Sequence, residues 1–281
     1  MRRSTVLAEG LSFPEGPRWH EGAFWFSDMH AGQVYRLDDG GVLSTVASVP
    51  GSPSGLGWLP DGRLLIVSMQ DHRLLRQESD GTLTEVADLS ALATHRCNDM
   101  VVDARGRAYI GNFGFDLDGG EPPRKTNLVL ATQDGSVRAV ASEVSFPNGA
   151  VITPDQRSLI LGETFAGQLT AFDIAEDGSL ENRRVWASLP GVAPDGICLD
   201  AEGAVWVASP ISSEVVRVRE GGVVLERIPV ETQAFACMLG GPEGATLFVC
   251  TAKDSKAEAC LAERTGRIET FEVEVPRAGL P

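Results

Sequence analysis

Four oxygen-bearing side chains recur at equivalent points of a repeated segment, and together they could hold a metal ion. The repeated segments begin FPEGPRW, SPSGLGW, RCNDMVV, FPNGAVI, APDGICL and FACMLGG. Pro-Asn-Gly and Pro-Asp-Gly are also ordinary turn sequences, so a turn explains any single copy. Four such side chains in one register favour a metal site instead. The six residues at the shared position, 39 to 50 residues apart, are Glu15, Ser54, Asn98, Asn148, Asp195 and Ala236.

The donor types restrict the metal. Glu15, Asn98, Asn148 and Asp195 offer only oxygen, with no histidine or cysteine among them. Oxygen donors suit hard cations, so one divalent cation is expected, calcium first and then magnesium or manganese. Zinc remains an alternative because carboxylates also bind it. Three or four protein ligands would leave open positions for water and substrate, as in catalytic metal sites.

The elements that position these residues are short strands. Each segment reads as an apolar strand, a turn and a second strand rich in β-branched and aromatic residues, followed by a third strand and in most copies a fourth. Repeats of 40 to 50 residues with four strands predict propeller blades. A β-sandwich would not need six equivalent copies. The fold class predicted is therefore all-β: a six-bladed β-propeller in one domain, 1–281, with STVLAEG completing the last blade.

The motifs, taken in order, resemble one known family: senescence marker protein, gluconolactonase and luciferin-regenerating enzyme, a group of six-bladed propellers. The resemblance runs from FPEGPRW through RCNDMVVD, FPNGAVITPD and APDGICLDAEGAVWVA to RTGRIETFEV. It implies that Glu15, Asn148 and Asp195 are metal ligands and that Asp195 is also the catalytic base. It further implies that Arg96 and Asn98 contact the substrate or a metal-bound water. A salt bridge at the surface or between blades is an equally good reading of Arg96 alone.

The implied reaction is metal-assisted hydrolysis of a lactone, with the cation polarising the carbonyl and Asp195 accepting a proton from water. Two other functions stay open, because a fold does not fix a function. One is a phosphotriesterase-like hydrolase on the same propeller. The other is a non-catalytic calcium-binding propeller. The Glu15, Asn148 and Asp195 set disfavours a metal-free propeller of the strictosidine-synthase kind.

A long connection between two strands, Phe113–Asn127, is predicted to cover the site as a lid or specificity wall. The substrate pocket is expected between Arg96, Asn98 and Phe113, with residues 70–72 and 252–254 contributing. Because Ser54 and Ala236 are small, the mouth should be more open beside blades two and six.

Composition limits the partners. A net charge of −15 argues against nucleic acid. No apolar run is long enough for a membrane helix, and MRRSTVLAEG lacks the apolar core of a secretory signal. Five dispersed cysteines without zinc-like spacing indicate reduced thiols. We therefore expect a cytoplasmic protein, a monomer or weak homo-oligomer, acting on a small molecule without a membrane.

Overall fold

A computed structural model describes residues 4–38 and 40–281, and in this part of the chain the strands form six four-stranded antiparallel sheets. The protein is a six-bladed β-propeller, as predicted. Blade one contains β2 (Pro14–His20), β3 (Ala23–Asp28), β4 (Gln33–Leu37) and β5 (Leu43–Ser48). Blade two contains β6 (Pro53–Trp58), β7 (Leu64–Ser68), β8 (Arg73–Gln77) and β9 (Leu83–Asp88). Blade three contains β10 (Cys97–Val102), β11 (Ala108–Asn112), β12 (Thr126–Ala131) and β13 (Val137–Val144).

The second half of the ring repeats this plan. Blade four contains β14 (Pro147–Ile152), β15 (Ser158–Glu163), β16 (Gln168–Ile174) and β17 (Leu180–Ser188). Blade five contains β18 (Ile197–Leu199), β19 (Val205–Ser209), β20 (Glu214–Arg219) and β21 (Val223–Pro229). Blade six contains β22 (Gln233–Gly240), β23 (Thr246–Ala252) and β24 (Gly266–Glu272), with β1 (Thr5–Leu11) as its outermost strand.

The N-terminal strand closes the ring. β1 pairs antiparallel with β24, from Thr5 opposite Thr270 to Leu11 opposite Gly266. This confirms that the segment left over from the repeats completes the last blade. This pairing covers the edge that β24 would otherwise expose, and β1 becomes the outer strand of the blade.

The sequence pattern of each strand follows its distance from the channel. The innermost strands β10 and β14 are buried along their whole length, because blades cover both of their faces. In outer strands such as β5 and β17 most side chains are exposed to solvent. Apolar clusters lie between neighbouring blades; Leu65 of blade two and Met100 of blade three belong to one of them.

The innermost strands are irregular where the repeated position occurs. Their pairing shifts register between Glu15 and Arg18 in blade one, and similar shifts occur in blades two, three, four and six. An extra residue in one strand turns side chains away from the regular alternation. Four blades place a glycine directly after this position. At Gly149 a β-carbon would lie 2.6 Å from the backbone nitrogen of Ile197, so only glycine allows the blades to approach this closely.

The two faces of the propeller differ. The repeated position lies within the first four residues of the innermost strand in five blades and two residues before that strand in blade five. These residues therefore share one face, here called the ring face. The lid predicted at Phe113–Asn127 lies on this face, but it is shorter than expected because β12 begins at Thr126. A short helix, α1 (Ala257–Glu263), lies in the connection after β23.

The C-terminal tail crosses the opposite face. Ala278 donates a backbone hydrogen bond to Leu199 of blade five, and Leu280 exchanges two with Ile152 of blade four. Within the described residues no helix is long and apolar enough to cross a membrane. The five cysteines are buried and free. The predicted location, partners and oligomeric state remain predictions.

Candidate functional site

The ring face gathers four polar side chains from four blades. Glu15 and Asp195 are each 8 % exposed, Asn98 is 7 % exposed and Asn148 is 6 % exposed. The remaining two members of the ring, Ser54 and Ala236, are also buried. We call these six residues the ring. The sequence therefore identified side chains that the fold brings to equivalent places on neighbouring innermost strands.

The two asparagines are anchored through their nitrogens. The amide of Asn98 donates to the carbonyl of Pro147 at 3.3 Å, which links blades three and four. The amide of Asn148 donates to Oγ1 of Thr164 at 3.3 Å, and that hydroxyl donates to the carbonyl of Pro194 at 2.6 Å. Since the nitrogens are engaged in this way, the amide oxygens are the atoms available to a cation.

Because Glu15 and Asp195 are buried, their side chains favour the neutral carboxylic acid when no cation is bound. Desolvation raises the pKa of Glu15 to about 8, although a hydrogen bond from the Gly16 amide opposes the shift. Desolvation also raises the pKa of Asp195 well above its usual range, and the negative charge of Glu15 adds to that effect. A hydrogen bond from Asn148 opposes it. Two buried carboxylates that favour their neutral forms need a compensating positive charge to stay ionised.

A buried ion pair lies beside the ring, and sequence reasoning missed it. Arg18 is 3 % exposed, and its Nη2 donates to Oδ1 of Asp99 at 2.5 Å. The same guanidinium donates to the carbonyls of Pro17, Leu56 and Met100 at 2.6 to 2.8 Å. This satisfies the arginine, which ties blade one to blades two and three. The signal was present in the sequence, since Asp99 occupies the place where four other blades have glycine.

The charge of the site fits a divalent cation. Glu15, Asp99 and Asp195 are three carboxylates, and Arg18 is the one guanidinium among the described residues paired with them. Fully ionised, the group would carry two negative charges, which one divalent cation would neutralise. No cluster of three or more histidine, cysteine or acidic side chains arranged for a metal occurs in the described part of the chain. The donor set here is instead two carboxylates with amide oxygens, which suits a hard cation.

The residues predicted to contact the substrate already have partners within the protein. Arg96 is about one-third exposed in its side chain and forms an ion pair with Asp118 of the long loop, which is the alternative that the sequence left open for it. Phe113 begins that loop; its ring lies 4.5 Å from that of Phe146 and 6.3 Å from that of His95. Of the neighbouring links, Gln70 donates to the hydroxyl of Ser52 at 2.9 Å.

His30 of blade one lies close enough to the long loop of blade three to be affected by its charges. His30 of blade one feels the charges of both Asp118 and Arg96, and its ring nitrogen lies 3.0 Å from the carbonyl oxygen of Ser255 in blade six. Desolvation is the main reason that the pKa of His30 is lowered. The His30 imidazole of blade one therefore lies near the charged Arg96 and Asp118 of blade three on the ring face.

The model of one protein family, described as the SMP-30/gluconolactonase/LRE-like region, matches residues 13–253. This range spans five of the blades and two of the four strands of the sixth. The chain belongs to the SMP-30/gluconolactonase/LRE-like family. Four of the five motifs that suggested this resemblance contain ring residues, and the fifth, RTGRIETFEV, contains β24 and lies beyond the matched range.

Members of this family with different activities are similar to the chain. A pentonolactonase of Haloferax volcanii is 29 % identical over 258 residues, covering 90 % of this chain and 86 % of the relative. A diisopropyl-fluorophosphatase of Loligo vulgaris is 27 % identical over 274 residues, covering 87 % of each chain. The structure of a calcium-binding protein, regucalcin, from Agrobacterium tumefaciens matches with a TM-score of 0.83 at 22 % identity, covering 100 % of this chain and 97 % of that one. The structural match shows the shared fold.

Proposed function

We propose that this protein is a metal-dependent lactonase that hydrolyses a cyclic ester of a small molecule at the ring. The main support for the proposal is the charge of the site. Two buried carboxylates lie beside two anchored asparagines and one internal ion pair, and when both carboxylates are ionised no positive charge of the described residues balances them. The similarity to a pentonolactonase supports the reaction class.

Glu15, Asn148 and Asp195 would hold the cation, and Asn98 would lie beside it. When bound, the cation supplies a positive charge that polarises the lactone carbonyl and stabilises the oxyanion. Oxygen donors make calcium the first choice, with magnesium, manganese and zinc as the alternatives to test. The Arg18–Asp99 pair positions the inner strands of blades one and three and does not contact the substrate.

Asp195 is the candidate base. A water molecule adds its oxygen to the acyl carbon and gives a proton to the carboxylate of Asp195. The ring C–O bond then breaks, and the leaving alkoxide takes the proton back, which yields a hydroxy acid. Burial raises the pKa of Asp195 and so favours proton uptake, whereas a bound cation would lower that pKa and make the carboxylate a weaker base.

The test combines metal analysis with activity. We expect metal-free protein to be inactive on a panel of lactones that includes glucono-1,5-lactone, arabinono-1,4-lactone and alkyl-substituted γ-butyrolactones. Activity on at least one of them should return with calcium or with one of the three alternative cations. Glu15→Gln should lose cation affinity, whereas Asp195→Asn should lose turnover as well. Asp155→Asn is the matched control, because Asp155 also follows a proline but lies exposed in a turn on the opposite face. Full activity in metal-free protein would refute the proposal.

A phosphotriester substrate is the second candidate, and the similarity to a diisopropyl-fluorophosphatase favours it. The same cation would polarise a phosphoryl oxygen in place of a carbonyl. Assaying one phosphotriester beside the lactones decides between the two. Cation binding without turnover of either class would leave the calcium-binding propeller.

A further inference from the structure

The ring is surrounded by apolar side chains on the ring face. Phe13 and Phe146 each come two residues before a ring residue, and Met29, Met69 and Phe113 each follow the second strand of a blade. Phe235 comes directly before Ala236 of the ring. We call these six residues the apolar tier. Four of them, Phe13, Met29, Met69 and Phe235, pack in one cluster from blades one, two and six. Phe113 of blade three packs against this cluster.

Backbone hydrogen bonds fix the tier directly outside the ring. The amide of Met29 donates to the carbonyl of Phe13 at 2.9 Å, and the amide of Phe113 donates to that of Arg96 at 2.9 Å. Met69 donates to Ser52 in the same way. These bonds occur at the same register in three blades, so the side chains of the tier border the channel mouth one step outward from the ring.

Buried polar groups and strain hold two of the phenylalanines in place. The carboxylate of Asp28, which is fully buried, accepts the amide of Phe13 at 2.7 Å. The carboxylate of Glu163 accepts the amide of Ser145 at 2.7 Å, next to Phe146. Phe146 itself has a φ of 56°, a left-handed conformation that a bulky residue rarely adopts. Strain of this kind at an aromatic residue beside a candidate site favours a functional reason for its placement.

Several of the polar groups near the tier are already engaged. The hydroxyl of Ser52 accepts from Gln70, and that of Thr164 donates to Pro194. The charged neighbour, Arg96, is paired with Asp118. One ring nitrogen of His95, beside Phe113, and one of His72 are buried without a hydrogen-bond partner among the described residues and could bind one or two hydroxyls. A sugar lactone carries a hydroxyl on almost every carbon, so most of its hydroxyls would lose water against the tier without gaining a partner. An alkyl or aryl substituent would only exchange water for apolar surface.

We propose that the substrates are lactones with an apolar alkyl or aryl substituent, which the apolar tier binds, rather than polyhydroxylated sugar lactones. This inference rests on the proposed function. The ester carbonyl would lie at the ring, and the substituent would extend outward between Met29, Met69, Phe113 and Phe235. Exclusion of water by these side chains would also strengthen the electrostatic effect of the ring on the carbonyl.

The test uses two lactone series on calcium-loaded protein. The first is γ-butyrolactone with a straight alkyl substituent of zero to five carbons on the ring carbon that bears the ester oxygen. The second is a set of sugar 1,4-lactones with the same five-membered ring. We expect kcat/KM to rise about threefold to fourfold for each methylene of the alkyl series. The pentyl lactone should exceed every sugar lactone by more than tenfold.

Variants locate the effect. Met69→Gln keeps the length of the side chain and makes it polar, so it should lower the ratio of pentyl-lactone to sugar-lactone kcat/KM by about tenfold. Calcium affinity should be retained, which separates this result from a folding defect. Leu225→Gln makes the same kind of change on β21, at a half-exposed site in the outermost strand of blade five, and should leave the ratio unchanged.

The outcomes separate the two proposals. Rapid hydrolysis of sugar lactones with a flat or falling alkyl series would overturn the substrate class and leave the lactonase intact. An alkyl preference that Met69→Gln does not change would overturn the role of the tier. Hydrolysis of no lactone in either series, with any of the four cations, would refute the lactonase itself and this inference with it.

Discussion

Removing the cation should make the stability of this protein depend on pH in an unusual direction. In metal-free protein the pKa of Glu15 is about 8, against an ordinary value of 4.5. A carboxyl group that holds its proton more tightly in the folded state stabilises the fold fully below pH 4.5, and this contribution is lost as the pH rises towards 8. Asp195, whose pKa is also raised, adds to the loss in the same direction.

The size of the effect follows from the shift at Glu15. Between pH 5 and pH 8 that one group lowers the free energy of unfolding of metal-free protein by about 3 kcal/mol. Calcium at a hundredfold excess over its dissociation constant would restore about 2.7 kcal/mol at pH 8. At pH 5 calcium should stabilise much less, because it must first displace protons from the ring.

Urea unfolding at the two pH values, with dialysed and with calcium-loaded protein, measures these differences. Glu15→Gln removes one of the two titrating groups and should reduce the pH dependence of the metal-free protein to the part that Asp195 contributes. Asp155→Asn, which changes an exposed carboxylate on the opposite face, should not. The reasoning fails if metal-free wild-type protein is equally stable at both pH values, or if Glu15→Gln keeps the wild-type dependence.

Three further substitutions test other parts of the site. Asp99→Ala leaves the buried guanidinium of Arg18 without its carboxylate and should lower the free energy of unfolding, measured with urea, by about 3–5 kcal/mol. A loss below about 1 kcal/mol would contradict the structural importance of this ion pair. Gly149→Ala places a β-carbon 2.6 Å from the backbone of blade five, so we expect both a lower melting temperature and weaker calcium binding; wild-type values for both would show that the blades can separate freely. Asp118→Asn breaks the half-exposed pair with Arg96 and should change the free energy of unfolding by less than about 1 kcal/mol. Trypsin should cleave the loop at 113–125 faster in this variant, and unchanged cleavage would mean that the pair does not hold the loop.

The repeat was readable from the sequence because every blade uses the same order of strands and turns. One equivalent position per repeat was enough to predict six blades, the closing strand and the buried ring. Once the period is known, residues such as Glu15 and Asp195 fall at the same height because innermost strands start at the same face.

Other features depended on geometry that the pattern does not carry. Asp99 directly follows the ring residue Asn98. The irregular start of β10 allows both of these consecutive side chains to lie at the site. Phe146 reads as an ordinary strand residue until its left-handed backbone is seen. The pairing of Arg96 with Asp118 joins a strand end to a loop tip 22 residues later, a contact that no periodicity specifies.

The closure of blade six has a consequence for how this protein is made. β1 is synthesised long before β24, and the hydroxyl of Thr270 bonds to the carbonyl of Thr5 from 265 residues away. Blades one to five can form in order as the chain leaves the ribosome, but the final sheet must wait until β24 has emerged. During that interval β1 is an unpaired strand, whose free backbone groups can pair with other chains. Slow translation or a stalled nascent chain should therefore favour aggregation through β1, and a chaperone that covers Thr5–Leu11 should suppress it.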